Sequence, residues 1–379
     1  MKTPAPPDTT DNLVFSPGGS ADIVLKRVAL ARGLVPSSDT GYDANHVVVE
    51  SMLDKAKVPG WTKAVVVEHV EDASRGHLKR VAGATAEMQA DLLHITSQEH
   101  AHLVPKDSSA PVVVTVHDLF DFRPRSVEAG DVVVPLGQRD PSSVQAKQIR
   151  AARAGMGRAD LLVCATQMAL EEASSLFPDT RAVVVRDSID AEHWDPTRNP
   201  RSRGILREHD DEGKLLLVSV GGEDPRWRHA FVRKVLDSLP EEVSEDLHVI
   251  HIGIEGLDRE QVAAAYQHAE AMLYPGISVG FHCPPAEAMA AGCPVLASDL
   301  PTHDEFLPAD CMLPATDVDK WVSAVVAIHS DWRRAGGVSR HVDEQLVAHA
   351  VSASGRNAHG EALGRAYNSC FLDSRGSTT

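Results

Sequence analysis

The sequence predicts an α/β protein built from two Rossmann-like domains. Short β-branched runs alternate with helical stretches along the chain, one polar proline-containing segment divides it, and 379 residues are enough for two hydrophobic cores but long for one. The runs NLVF (12–15), HVVV (46–49), KAVVV (63–67), DLLHI (91–95) and PVVVTV (111–116) suit strands buried on both faces. DVVVPL (131–136), ADLLVCA (159–165) and RAVVV (181–185) extend the series, and a single doubly wound sheet accounts for all of them. Residues 195–212 are polar and aperiodic, as a linker is. The boundary is placed near Asn199, giving an N-terminal domain of 1–198, a second domain of 199–355 and a terminal helix with a flexible tail over 356–379.

The second unit opens with KLLLVSV (214–220) and continues through DLHVIHIG (246–253), AMLYP (271–275) and PVLAS (294–298). Helical spacing links these runs. Val232, Val235, Leu236 and Leu239 form one apolar stripe; Val262, Ala265, Tyr266 and Ala269 form another after the capping Asp258; Trp321, Val325, Ile328 and Trp332 form a third after Asp317. Ala362, Leu363, Ala366 and Tyr367 mark the last helix.

Composition narrows the function. A formal charge of −17 disfavours nucleic acid, which needs clustered cations, while leaving room for a small anion in a local positive pocket. No apolar run approaches a membrane span, and the N-terminus lacks the basic and apolar regions of a secretion signal, so a cytoplasmic location is expected. Five cysteines without CxxC spacing predict reduced, mostly buried thiols; neither they nor any HExxH pattern suggests a metal site.

Three segments can carry chemistry. Ser16 to Ser20, containing Gly18 and Gly19, follows an expected strand and precedes the spaced residues Ile23, Val24, Arg27, Val28 and Leu30 of an expected helix. It is either a phosphate-approaching loop at a helix N-terminus or a plain turn. His117 and Asp118 end a buried strand, where open α/β sheets bind ligands. His117 could donate to a sugar hydroxyl, and Asp118 could orient an acceptor or cap a turn; a satisfied structural histidine and a simple aspartate turn are the alternatives. The third segment runs from Gly280 through Phe281, His282, Cys283 and Pro284 to Gly292. A helix entered at Pro285 and stopped at Gly292 would place Glu287 in its first turn, either to accept ribose hydroxyls or to favour the helix dipole.

Together these segments resemble the GT-B glycosyltransferases of the retaining family 4 type. The match rests on Gly280-Phe281, Pro284, Glu287-Ala288-Met289-Ala290, Gly292 and Pro294-Val295, supported by Gly18-Gly19 and His117-Asp118-Leu119. Gly221 to Arg228 resembles the family's phosphate-neutralising segment, with Trp227 at the usual lysine and Arg226 and Arg228 as the remaining cations. The resemblance implies two Rossmann-like domains facing across a cleft and a nucleoside diphosphate sugar as donor. It further implies a small or lipid-linked acceptor, no permanently bound cofactor and no metal; a possible homodimer is compatible with it.

Departures bear on chemistry. Val279 stands at the usual first glutamate, His282 at a usual glycine, and Asp187-Ser188-Ile189-Asp190 replaces the commoner Asn-Gly-Val-Asp turn. The leading expectation is retaining transfer of a hexosyl or modified-sugar unit. Pseudo-glycosyl coupling, a phosphorylase, or a catalytically poor nucleotide-sugar-binding partner are the alternatives.

Overall fold

The computed structural model describes residues 25–34, 44–70, 76–129, 132–211, 213–222, 224–277, 283–338 and 340–372. Gly18, Gly19, Val279, Gly280, Phe281 and His282, the expected strand at 12–15 and the tail from 373 lie outside these residues.

The first half contains β1 (Lys26–Leu34), α1 (Ala44–Asp54), β2 (Trp61–Val70), α2 (His77–Glu87), β3 (Leu92–Ile95), β4 (Val112–Val116), β5 (Arg125–Ala129), β6 (Val132–Leu136), α3 (Ser143–Met156), β7 (Leu161–Cys164), α4 (Gln167–Leu176) and β8 (Arg181–Val184). Its main sheet is parallel, in the order β2-β1-β3-β4-β7-β8. The second half contains α5 (Ala191–Trp194), β9 (Leu215–Val220), α6 (His229–Asp237), α7 (Glu241–Asp246), β10 (Leu247–Ile252), α8 (Arg259–His268), β11 (Ala271–Tyr274), α9 (Cys283–Ala290), β12 (Val295–Ser298), β13 (Met312–Leu313), α10 (Val318–Arg334), α11 (Glu344–Ser354) and α12 (Arg356–Ser369). Its sheet is also parallel, in the order β10-β9-β11-β12-β13. In each sheet the first strand lies between the second and third, so the chain reverses direction across the sheet beside β1 and beside β9. Such switch points open crevices at the carboxyl ends of strands.

Three expected elements differ. Residues 23–30 do not form a helix where described: Lys26–Leu34 is the strand β1, with Val28 to Ala31 fully buried, so the spacing reflected burial on both faces. The periodic segment expected to follow Gly18-Gly19 as a helix is thus, where described, the strand β1. HVVV (46–49) is helical, because His46, Val49, Met52 and Leu53 form one buried stripe of α1 and packing overrides β-branched propensity. DVVVPL is outside the main sheet: β6 pairs antiparallel with β5, and its alternation of exposed Val133 and Pro135 with buried Val134 and Leu136 is that of a half-buried hairpin.

The capping expectations at α8 and α10 hold. Asp258 accepts from the Gln261 amide in a capping box, and Asp317 accepts from the Lys320 amide. The last helix, α12, returns to the first half. Leu363, Ala366 and Tyr367 join the core of Val28, Leu30 and Trp61, and Trp61 donates to Asn368 at 3.2 Å.

Candidate active site

β4 is buried along its length and delivers His117 to the sheet's carboxyl edge. Its position is fixed twice. The His117 backbone N–H donates to Oε1 of the buried Gln98 at 3.0 Å, and ring Nδ1 lies 3.0 Å from Oδ2 of Asp187, in the loop after β8. Burial pushes the Asp187 carboxyl up, but the charge and hydrogen bond of His117, with His359 beyond, outweigh it and hold Asp187 below the ordinary aspartate range. Asp118 takes the Phe120 amide at 3.1 Å, closing a tight turn. Burial raises its pKa despite that amide, His117 and, from the second half of the chain, Arg226.

On the opposite side β9 is followed by Gly221, whose φ is +136°. A Cβ there would collide with the Trp227 side chain, so glycine lets the indole lie against the strand end. Asp224 caps the following turn through the Arg226 amide at 2.9 Å and also accepts from Arg226 Nε at 2.9 Å. The Arg226 side chain remains 45% exposed and its charge reaches Asp118. The Arg226 carbonyl takes the Ile277 amide at 2.7 Å, tying this turn to the segment entering 278–282.

Arg228 is placed differently from Arg226. With left-handed backbone (φ 53°, ψ 42°), it buries its guanidinium, donating to the Pro275 carbonyl at 3.1 Å and to Ser298 Oγ at 3.4 Å and lying 4.4 Å over the Phe231 ring. It braces the loop from within.

α9 begins at Cys283, not Pro285, which corrects the placement of Glu287 from the first turn to the second. Pro284 and Pro285 fit in the first turn, where their missing N–H groups have no helical acceptor. Gly292 (φ +67°) ends the helix as expected, its amide returning to Met289 at 2.8 Å. Glu287 is half-buried, and burial raises it from an ordinary glutamate's 4.5 to about 7 against the pull of Arg259. Burial, Glu287 and Asp187 together push the Cys283 thiol well above its usual range. Asp187 is thus felt on both sides of the crevice.

The structure brings His117, Asp118 and Arg226 into one electrostatic neighbourhood, with Cys283 joined to it through Asp187 and Glu287 through Cys283. Sequence reasoning did not assign functional roles to Asp187, Gln98 or Asp224. The signal for Asp187 was visible as an acid where the related turn carries asparagine. Among the described residues, no group of three His, Cys, Asp or Glu side chains could hold a metal ion, and no helix is long and apolar enough to cross a membrane.

Comparison with known proteins agrees with this architecture. Residues 204–331 match the family described as Glycosyl transferases group 1. A segment of 61 residues is 43% identical to the O-antigen chain mannosyltransferase RfbU of Salmonella typhimurium, covering 16% of this chain and 17% of that protein. Among solved structures, sucrose-phosphate synthase from Thermosynechococcus elongatus superposes with a TM-score of 0.64 at 13% identity, covering 92% of this chain and all of that one. Anabaena Alr3699/HepE in complex with UDP gives 0.64 at 12% identity, over 91% of this chain and 100% of the other. The chain therefore has the two-domain α/β GT-B fold, and residues 204–331 within its second half are similar to the group 1 glycosyl transferases.

Proposed function

We propose that this protein is a retaining, metal-independent glycosyltransferase. It moves a hexosyl or modified-sugar unit from a nucleoside diphosphate sugar to a small or lipid-linked acceptor, in the cytoplasm. The observation that carries this reading is that Asp118, next to His117 at the end of β4, feels the charge of Arg226 from beyond the end of β9. Two strand-end crevices turned toward one another form a site for a ligand with a sugar at one end and an anion at the other. The group 1 match spans Arg226, Cys283, Pro284 and Glu287, which supports donor binding by the second half. The bound UDP of the similarly folded HepE supports a nucleotide donor.

In this reading 1–198 is the acceptor-side domain and 199–355 the donor-side domain. Arg226 faces the diphosphate, Glu287 accepts ribose hydroxyls, His117 donates to the transferred sugar and Asp118 orients the acceptor. Cys283 and Pro284 open α9 on the donor side. Arg228 shapes the cradle through its internal hydrogen bonds. A guanidinium and helix N-termini can stabilise the departing diphosphate in place of a metal.

A panel of nucleotide sugars, tested with and without chelator, decides the matter. We expect nucleoside diphosphate binding and sugar transfer to survive chelation. Failure of every nucleotide and nucleotide sugar to bind at millimolar concentration would overturn the proposal. Val279, at the position of the related enzymes' first glutamate, favours pseudo-sugar coupling as a second reading, and product mass separates the two.

A further inference from the structure

His117 could act on a ligand through either ring nitrogen, and the structure distinguishes the two. Nδ1 lies 3.0 Å from an Asp187 oxygen, with the histidine and aspartate side chains only 27% and 15% exposed. Asp187 is held in its ionised form, and a carboxylate can only accept, so Nδ1 must carry the proton in that contact. The other coordinate of His117, its backbone amide, is fixed by Gln98.

We propose that Asp187 is a positioning residue for His117: by accepting from Nδ1–H it fixes the ring so that His117 acts on a bound sugar through Nε2. The inference rests on the glycosyltransferase reading, since it assigns the ring atom that serves that reaction. The tautomer of a histidine is set by the hydrogen bond its other nitrogen makes, and a carboxylate partner also favours the imidazolium. With the proton on Nδ1, the neutral ring presents a lone pair at Nε2; when charged, it presents a donor there. Asp187 therefore determines both the geometry and the pH range of the interaction.

The surroundings bear on that titration from several elements. His117 has Asp187, Asp118 and the buried His94 of β3 as neighbours; Asp187 also faces His359 of α12 and Cys283 of α9. His94 is held at about 3 by burial and by His46, His359 and His117. His359 is also held low by burial, despite its hydrogen bond to the Arg186 carbonyl and the attraction of Asp187. Both histidines remain neutral near pH 7, leaving Asp187 as the ionised partner of His117.

The test is imidazole ¹⁵N NMR of the full-length unliganded protein, comparing the parent with Asp187→Asn, Asp187→Ala and Asp187→Glu. The parent should show neutral His117 protonated at Nδ1, and its pKa is the reference for the variants. Asp187→Asn, nearly isosteric, should lower that pKa by about one pH unit or more as the opposing charge is lost. Asp187→Ala should also release the tautomer, while Asp187→Glu should restore part of both effects. In transfer assays Asp187→Asn should lower kcat by about tenfold or more with little change in donor Kd, because a misdirected histidine affects reaction more than binding. An unchanged His117 tautomer and pKa in a folded Asp187→Ala protein overturns the pairing. Altered NMR with unaltered kcat overturns its role in transfer. If the donor panel shows no transfer, the proposed function and the role in transfer fall together, while NMR still decides the pairing.

Discussion

Glu287 places a half-buried carboxyl, raised to about 7 by its surroundings, where a donor ribose is proposed to sit. Between an ordinary glutamate's 4.5 and about 7 the folded chain holds a proton that the unfolded chain has released, so this group's contribution to stability falls as pH rises through that window. Glu287→Gln should abolish that dependence and stabilise the fold by about 1–3 kcal/mol at pH 8, given about 1.4 kcal/mol per pH unit. Denaturant unfolding at pH 5 and pH 8 reads the effect, and parallel slopes for both proteins would refute it. Donor affinity should move the other way, rising from pH 6 to 8 in the parent because only the ionised carboxylate accepts two ribose hydroxyls. Glu287→Ala should weaken the donor by about tenfold or more, the scale of a charged hydrogen bond, and titration calorimetry measures it. His117→Ala should instead lower turnover by about 10² to 10³, as loss of a well-placed donor to a developing charge does. Normal turnover in a folded, thermally weakened His117→Ala protein would return His117 to a structural role.

At the scale of elements, the site depends on a support beneath it. α3 packs on the short 3-10 turn Gln98–Leu103, and a Cβ on Gly155 of α3 would strike the Ala101 carbonyl of that turn. Gln98 of the same turn holds the His117 amide. Gly155→Ala should therefore destabilise the fold by about 1–3 kcal/mol through overpacking and also slow transfer by displacing His117. Gly83→Ala is the control, because nothing lies within 4 Å of a Cβ built there in α2, and it should be neutral or slightly stabilising. Equal behaviour of the two variants in melting and rate would remove the support argument. This layer was only partly legible in the sequence. Runs such as PVVVTV and LLLVSV identified central strands because both faces are buried, and Asp258 and Asp317 marked helix starts through local capping chemistry. HVVV and DVVVPL misled because one lies on a helix stripe and the other in a hairpin, a difference made by tertiary neighbours that periodicity over four to six residues does not contain. His117 was legible from its place after a buried strand, whereas its pairing with Asp187, 70 positions later, exists only once β4 and β8 lie in one sheet.

Across the whole molecule, the two halves are joined by more than the chain between them. Phe120, Val134 and Leu136 from the first half enclose Ile277 from the second, with Met168 and Leu300 at the margin. Beside this apolar contact, Glu305 of the second half accepts from the first two amides of α4, Gln167 at 2.7 Å and Met168 at 3.1 Å, while its own carbonyl takes Arg186 at 3.1 Å. The third amide of α4 is satisfied within the first half by Thr166. A helix N-terminus has free donors and a partial positive charge, so a carboxylate from the opposite half is well matched to it. Such a contact holds the halves at one separation without fixing them covalently, which suits an enzyme proposed to close on its donor. Glu305→Ala should cost about 1.5–3 kcal/mol for a charged hydrogen bond and leave two helix amides to water. We expect lost hydrogen-exchange protection at Gln167 and Met168, a larger radius of gyration in solution scattering and weaker donor binding, with the interiors of both sheets still protected. Unchanged protection at those two amides, together with an unchanged scattering profile, would show that the apolar cluster alone sets the arrangement of the halves.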